Sequence, residues 1–178
     1  REHVHSAEAD RRFFAADFVA EADVVPDLVV SPATTDEVAE VVRSAVVAGR
    51  RVVGRGGGMS YTRAHVPDRS DTVVIDLRRL DDIELHLEDR YAICGAGVTW
   101  AQLSETLAGS GLWAPHLGTL SGRYATVGGG LSQQVAGLTT TSLTSLVLGL
   151  EVVLGDGRIL RTGAWAAGHT APFIREFG

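Results

Sequence analysis

Three consecutive glycines, Gly56 to Gly58, follow closely on the β-branched pair Val52-Val53 in the run Gly54-Arg55-Gly56-Gly57-Gly58-Met59-Ser60-Tyr61. Residues without a Cβ let backbone come very close to something. Glycines also reach positive φ freely, so successive N–H groups can converge on an anionic oxygen without a cationic side chain. A flexible surface turn has the same composition, and at this level both readings stand. The spacing is not the Rossmann fingerprint, because Tyr61 holds the third glycine position after Gly56 and Gly58. Gly95-Ala96-Gly97 fails in the same way, with Trp100 at the third position, and reads as a turn.

A second glycine-rich stretch, Leu117 to Gly137, holds Gly118-Thr119, Ser121-Gly122 and Thr126-Val127-Gly128-Gly129-Gly130, followed by Ser132. Hydroxyls between glycines can bond a phosphate or a polar ring edge while backbone wraps it. A plain polar loop is the alternative.

Around these stretches the pattern is strand, helix, strand. Leu28-Val29-Val30 is a short β-branched run. Thr34 and Glu37 have capping-box spacing, Val38, Val41, Val42 and Ala45 share a helical face, and Gly49 stands at a left-handed C-cap, so a helix is expected from about Asp36 to Ala48. With Val52-Val53 this makes a βαβ unit. Thr72 to Leu77 reads as a buried strand, and Ile83–Glu88 with Arg90–Cys94 as an antiparallel hairpin. Thr99 and Gln102 repeat the capping box, with Trp100, Leu103 and Leu107 on one face and Gly109 and Gly111 closing the helix. A last hairpin turns at Gly155-Asp156-Gly157. A parallel first part and antiparallel hairpins after it predict an α+β fold of two small lobes, residues 1–80 and 81–178.

Composition closes off several functions. The formal net charge of -6 argues against nucleic acid as a partner. No lysine occurs, which removes a Walker-type loop, a Schiff-base nucleophile and a pyridoxal anchor from this stretch. The single cysteine, Cys94, cannot form an internal disulfide or complete a cysteine zinc site, and a cytoplasmic location is the default expectation. His3 and His5 have no third ligand nearby, so no metal is expected. No run approaches the roughly 18 apolar residues that cross a bilayer. The first residue is not methionine, and the chain is expected to be a piece of a longer polypeptide.

Six motifs in order carry a family resemblance: the helix after Pro32, Arg55-Gly-Gly-Gly-Met-Ser60, Val73-Val-Ile-Asp-Leu77, Gly95-Ala-Gly-Val-Thr-Trp100, Thr126-Val-Gly-Gly-Gly-Leu-Ser132 and Leu150-Glu-Val-Val-Leu-Gly-Asp-Gly157. Together they resemble the vanillyl-alcohol-oxidase (PCMH) type of FAD-linked oxidases, from Pro26 onward. The look is nearest to the bacterial FAD-linked D-2-hydroxyacid dehydrogenases. The resemblance implies a PCMH-type FAD-binding fold with FAD between the two lobes, cut before a substrate domain. It implies that Gly56, Gly57, Gly58, Met59 and Ser60 capture the pyrophosphate. Ser121, Thr126, Gly128, Gly129 and Ser132 would meet phosphate, ribityl or flavin atoms, Ala136 stands at a further contact position, and the Val153 backbone would meet the adenine or flavin edge. Met59 stands where many relatives carry a histidine bonded covalently to the flavin, and a thioether cannot make that link, so FAD is expected to be noncovalent. Gln133-Gln134 departs from an asparagine common in relatives.

The implied activity is oxidation of an alcohol or D-2-hydroxy acid, a small-molecule substrate, by hydride transfer to flavin N5. The electron acceptor and the catalytic residues remain unassigned. Two alternatives share the fold: a noncatalytic FAD- or nucleotide-binding module, and an enolpyruvyl-sugar reductase that uses NADPH.

Overall fold

The computed structural model describes residues 3–114, 122–135 and 143–163. Its first half is a four-stranded sheet. Strands β1 (Val4–His5), β2 (Leu28–Val30), β3 (Arg51–Arg55) and β4 (Thr72–Asp76) lie in the order β1-β2-β4-β3. β2 and β3 each pair with β4 in parallel, while β1 is antiparallel on the β2 edge. The βαβ unit is therefore real but not adjacent, because β4 inserts between its two strands. All five β4 residues are buried, which is why this strand takes the centre.

Helix α2 (Thr35–Val47) crosses from β2 to β3. Its cap differs in detail from the expected box: the Glu37 N–H donates to Thr34 Oγ1 at 3.1 Å, but the Glu37 carboxylate accepts from the Ala33 N–H at 2.7 Å rather than from Thr34. Gly49 ends the helix at φ +67°, as the C-cap reading requires. Val38, Val42 and Ala45 pack with Val30, Val73 and Ile75 into the first core.

Helix α1 (Glu8–Phe14) escaped the sequence reading. Ala7 gives no side-chain cap, and the helix has only 7 residues. It earns its place through Phe14, which joins Val29 and Val74 in a small cluster on the sheet.

The second half is built on strands β5 (Ile83–His86) and β6 (Tyr91–Cys94), antiparallel as expected, then helix α3 (Trp100–Leu107). Its capping box is complete: the Gln102 N–H donates to Thr99 Oγ1, and Gln102 Oε1 accepts from the Thr99 N–H. A short helix α4 (Val127–Ser132) follows. Strands β7 (Glu151–Val153) and β8 (Ile159–Arg161) form the last hairpin, with Gly157 at φ +78°. A separate core holds Val98, Trp100, Leu103, Ala114 and Leu143. The β7–β8 hairpin returns to the first half: Val153 packs against the first core, and Arg43 Nη1 of α2 donates to the Gly157 carbonyl at 2.9 Å. Among the described residues, no helix is long and apolar enough to cross a membrane.

Candidate functional site

The carboxyl ends of β2, β3 and β4 present three buried polar residues, Ser31, Arg55 and Asp76, each exposed by 5% or less. Ligands of open α/β sheets bind at this edge. The first glycine loop leaves β3 there.

Two of its glycines are explained by packing. A Cβ on Gly57 would run into the Tyr124 carbonyl, and one on Gly56 into the Thr126 hydroxyl. The two glycine-rich stretches therefore lie against each other, a meeting no local pattern announces. Gly58 is needed for its conformation, φ +76°, and because the Arg55 guanidinium occupies the space a side chain would take. The N–H groups of Gly57, Gly58, Met59 and Ser60 meet no acceptor among the described residues. A run of open amides at a sheet's carboxyl edge is the physical form of an anion site.

Neighbours brace the loop. Ser60 Oγ accepts the Thr62 N–H at 3.1 Å, Thr62 Oγ1 donates to Gln133 Oε1 at 2.9 Å, and the Ser60 carbonyl accepts from the Phe18 N–H at 3.3 Å. Asp17 takes N–H bonds from Val19, Ala20 and Arg63 at 2.9, 2.7 and 2.9 Å, so the segment after α1 is tied to the segment after the loop. Burial works to raise the Asp17 pKa, but those three donors leave it below its ordinary value.

The second stretch has a different character. Expected as a loop, Val127–Ser132 is helical, with Thr126 as N-cap. The Thr126 hydroxyl, expected at a phosphate or flavin atom, is 2% exposed and accepts the Gly129 N–H at 3.1 Å. The Gly128 N–H is bonded to the Ala96 carbonyl at 3.1 Å, and a Cβ on Gly128 would press on the Ala96 backbone. Thr126 also bridges Thr99, and the Val127 N–H donates to the Val98 carbonyl at 2.7 Å, so α3 and α4 begin side by side. Ser132 is exposed at the end of α4. Val153 sits in β7, on the core beneath α2. Ser121 and Ala136 lie outside the described residues.

Arg55, unremarked in the sequence, is the main addition. Its Nη1 donates a long 3.3 Å bond to the adjacent Gly56 carbonyl, its Nε meets no acceptor among the described residues, and Phe13 and Phe14 of α1 place ring centroids 5.6 and 5.3 Å from Cζ. Burial pushes its pKa below the ordinary arginine value, the charge of Arg78 adds to this, and Asp76 opposes it. Asp76 is engaged elsewhere: it accepts from Arg78 Nε and Nη2 at 2.8 and 3.0 Å and from Ser31 Oγ at 3.2 Å. His65, close by, is held below its ordinary pKa chiefly by burial and further by the charge of Arg55, against the Ala16 carbonyl and Asp17. The signal available in the sequence was a charged residue at the end of a β-branched strand, immediately before the glycine run.

Two clefts flank Arg78. One, of about 390 Å³, is lined by Gly97, Thr99, Gln102, Glu105 and Arg123; the other, of about 280 Å³, by His5, Phe14, Ser31, Asp76 and Arg79. Neither is lined by Gly56–Ser60. No cluster suited to a metal ion occurs among the described residues. Cys94 is half-buried, and burial raises its thiol pKa.

The sheet, the hairpins and the glycine edge define an α+β domain of the p-cresol methylhydroxylase type: the structure of that enzyme with substrate bound superposes at a TM-score of 0.81, with 21% identity, over 97% of this chain and 34% of the other. The chain belongs to the family described as FAD binding domain, which matches residues 26–163. It is 36% identical over 140 residues to D-lactate dehydrogenase of Archaeoglobus fulgidus, covering 76% of this chain and 31% of that protein. It is 26% identical over 175 residues to glycolate oxidase subunit GlcD of Bacillus subtilis, covering 97% of this chain and 37% of that protein. The chain thus spans about a third of the length of these relatives. The family read from the ordered motifs is the family found.

Proposed function

We propose that this chain is the FAD-binding part of a flavin-dependent oxidoreductase that oxidises an alcohol or D-2-hydroxy acid. The observation that carries the reading is the run of four open amides, Gly57 to Ser60, at the carboxyl edge of the sheet. These N–H groups would hold the pyrophosphate, with Gly56 and Gly58 shaping the loop. Bound FAD supplies a hydride acceptor at flavin N5. Among the described residues of the second stretch, Ser132 offers an exposed hydroxyl; Gly128 and Gly129 contribute by letting α4 lie close. Ser121, Ala136 and the Val153 backbone complete the proposed contacts.

FAD is held noncovalently in this reading, since the Met59 thioether forms no bond to the flavin ring and the raised pKa of Cys94 disfavours its reactive thiolate. Two lobes meeting near residue 80 agree with the two separate cores, the β7–β8 hairpin excepted. The names of the relatives, D-lactate dehydrogenase and glycolate oxidase subunit, support a hydroxy acid as the substrate class. A cytoplasmic location agrees with the lone cysteine.

The test is a visible absorption spectrum of the purified full-length protein, before and after acid precipitation. A flavin band that moves wholly into the supernatant is expected, followed by bleaching when D-lactate or glycolate is added to the intact protein. Flavin left in the pellet would overturn the noncovalent reading. Colourless protein that takes up no added FAD would overturn the cofactor reading itself.

A further inference from the structure

Arg55, 5% exposed, has lost nearly all its water, and an unpaired buried charge is strongly unfavourable. Three things could compensate Arg55. The rings of Phe13 and Phe14 stand at the outer range of cation–π contact, a modest compensation. The Gly56 carbonyl accepts one long bond. Asp76 is the carboxylate that acts on it, but both Asp76 oxygens are already bonded to Arg78. The edge thus holds the guanidinium groups of Arg55, Arg78 and Arg79, the last donating to the Ser31 carbonyl at 2.7 Å, against the Asp76 carboxylate, and the Arg55 charge in excess lies against Gly58. Above that charge lie the open amides of Gly57 to Ser60.

We propose that Arg55 is a positioning residue whose counter-charge is the diphosphate of the bound dinucleotide: it braces Gly58 from below and supplies the full positive charge that the amides alone lack. This rests on the reading that the first loop holds the diphosphate. It also gives the seat of α1 on the sheet a second role, since Phe13 and Phe14 lie against the guanidinium. The role predicts that Arg55 discriminates by phosphate charge and not by adenine or flavin ring.

The experiment compares dissociation constants of ADP and adenosine on the full-length protein freed of flavin, with circular dichroism and melting as checks of folding. Arg55→Met is expected to weaken ADP about tenfold or more and adenosine less than about twofold, with a shallower dependence of ADP affinity on salt. Arg55→Lys keeps the charge and is expected to bind ADP within about threefold of the parent. Folded Arg55→Met that keeps the parent preference for ADP would overturn the proposal while leaving the loop assignment intact. A parent protein that binds ADP no better than adenosine would overturn both. Should Arg55→Met not fold, Arg55→Gln decides: a folded Gln variant that loses the preference for ADP while Arg55→Lys keeps it supports the charge role, and a folded Gln variant that keeps the preference overturns it.

Discussion

The two glycine-rich stretches have nearly the same composition and opposite physics. In Gly56–Ser60 the backbone donors are left open over a buried cation. In Thr126–Ser132 the donors at Gly128 and Gly129 are bonded within the protein, and the glycines serve to bring α4 onto the Ala96 backbone and the Trp100 ring. A glycine run therefore states that something comes close; whether that is a ligand or another piece of the same chain depends on where the amides point.

The comparison can be broken most severely at Gly57. Gly57→Val should cost more than about 3 kcal/mol in urea unfolding, because its side chain meets the Tyr124 carbonyl and the two stretches must part. A variant of normal stability would show that the stretches do not touch. Loss of FAD binding in this variant would therefore report a broken fold as much as a blocked anion site, and Arg55 is the cleaner probe.

Thr126→Ala should cost about 1 to 2 kcal/mol through the lost cap, with the affinity of the folded protein for ADP unchanged within about twofold. A parallel fall in affinity would return the Thr126 hydroxyl to the ligand and erase the contrast.

A smaller effect concerns pH, and belongs to the first region alone. Folding depresses the His65 pKa, so the unfolded chain holds the proton more readily; the stabilising share is complete above about 6.5 and drains away as pH falls from there through the folded value. Urea midpoints should drop between pH 7.5 and 5.5, and less so in His65→Gln. An equal drop in that variant would assign the effect to another group.

Least of all, Gly155→Ala should stabilise by about 0.5 kcal/mol, since nothing lies near its missing Cβ and the gain comes from the unfolded chain. Destabilisation there would mean that the β7–β8 turn is more crowded than the packing indicates.

Much of this was legible from local pattern. Thr34, Gly49, Thr99 and Gln102 marked helix ends because capping is chemistry between near neighbours. The β4 run declared itself by β-branching and by being too short for a helix. What stayed hidden was settled at long range. β4 lies between β2 and β3 because of burial, not sequence order. α1 exists because Phe14 finds Val29 and Val74, not because its ends are marked. Val127-Gly-Gly-Gly130 is helical against its propensity, since the Thr126 cap and the seats on Ala96 and Trp100 outweigh the cost of glycine. Arg55 was invisible as a site residue because its meaning lies in the absence of a carboxylate partner, which only three dimensions reveal.

The position of β4 also governs how the domain can assemble during synthesis. β2 and β3 share no ladder; they are joined only through β4, which is made last of the three, while β1 pairs with the other edge of β2. Until Asp76 has left the ribosome, the apolar stripe of α2 has no completed sheet to rest on, and both earlier strands carry unpaired edges. Neither parallel ladder can form before that strand exists, so the exposed edges of the earlier strands are a hazard confined to the time before β4 is made.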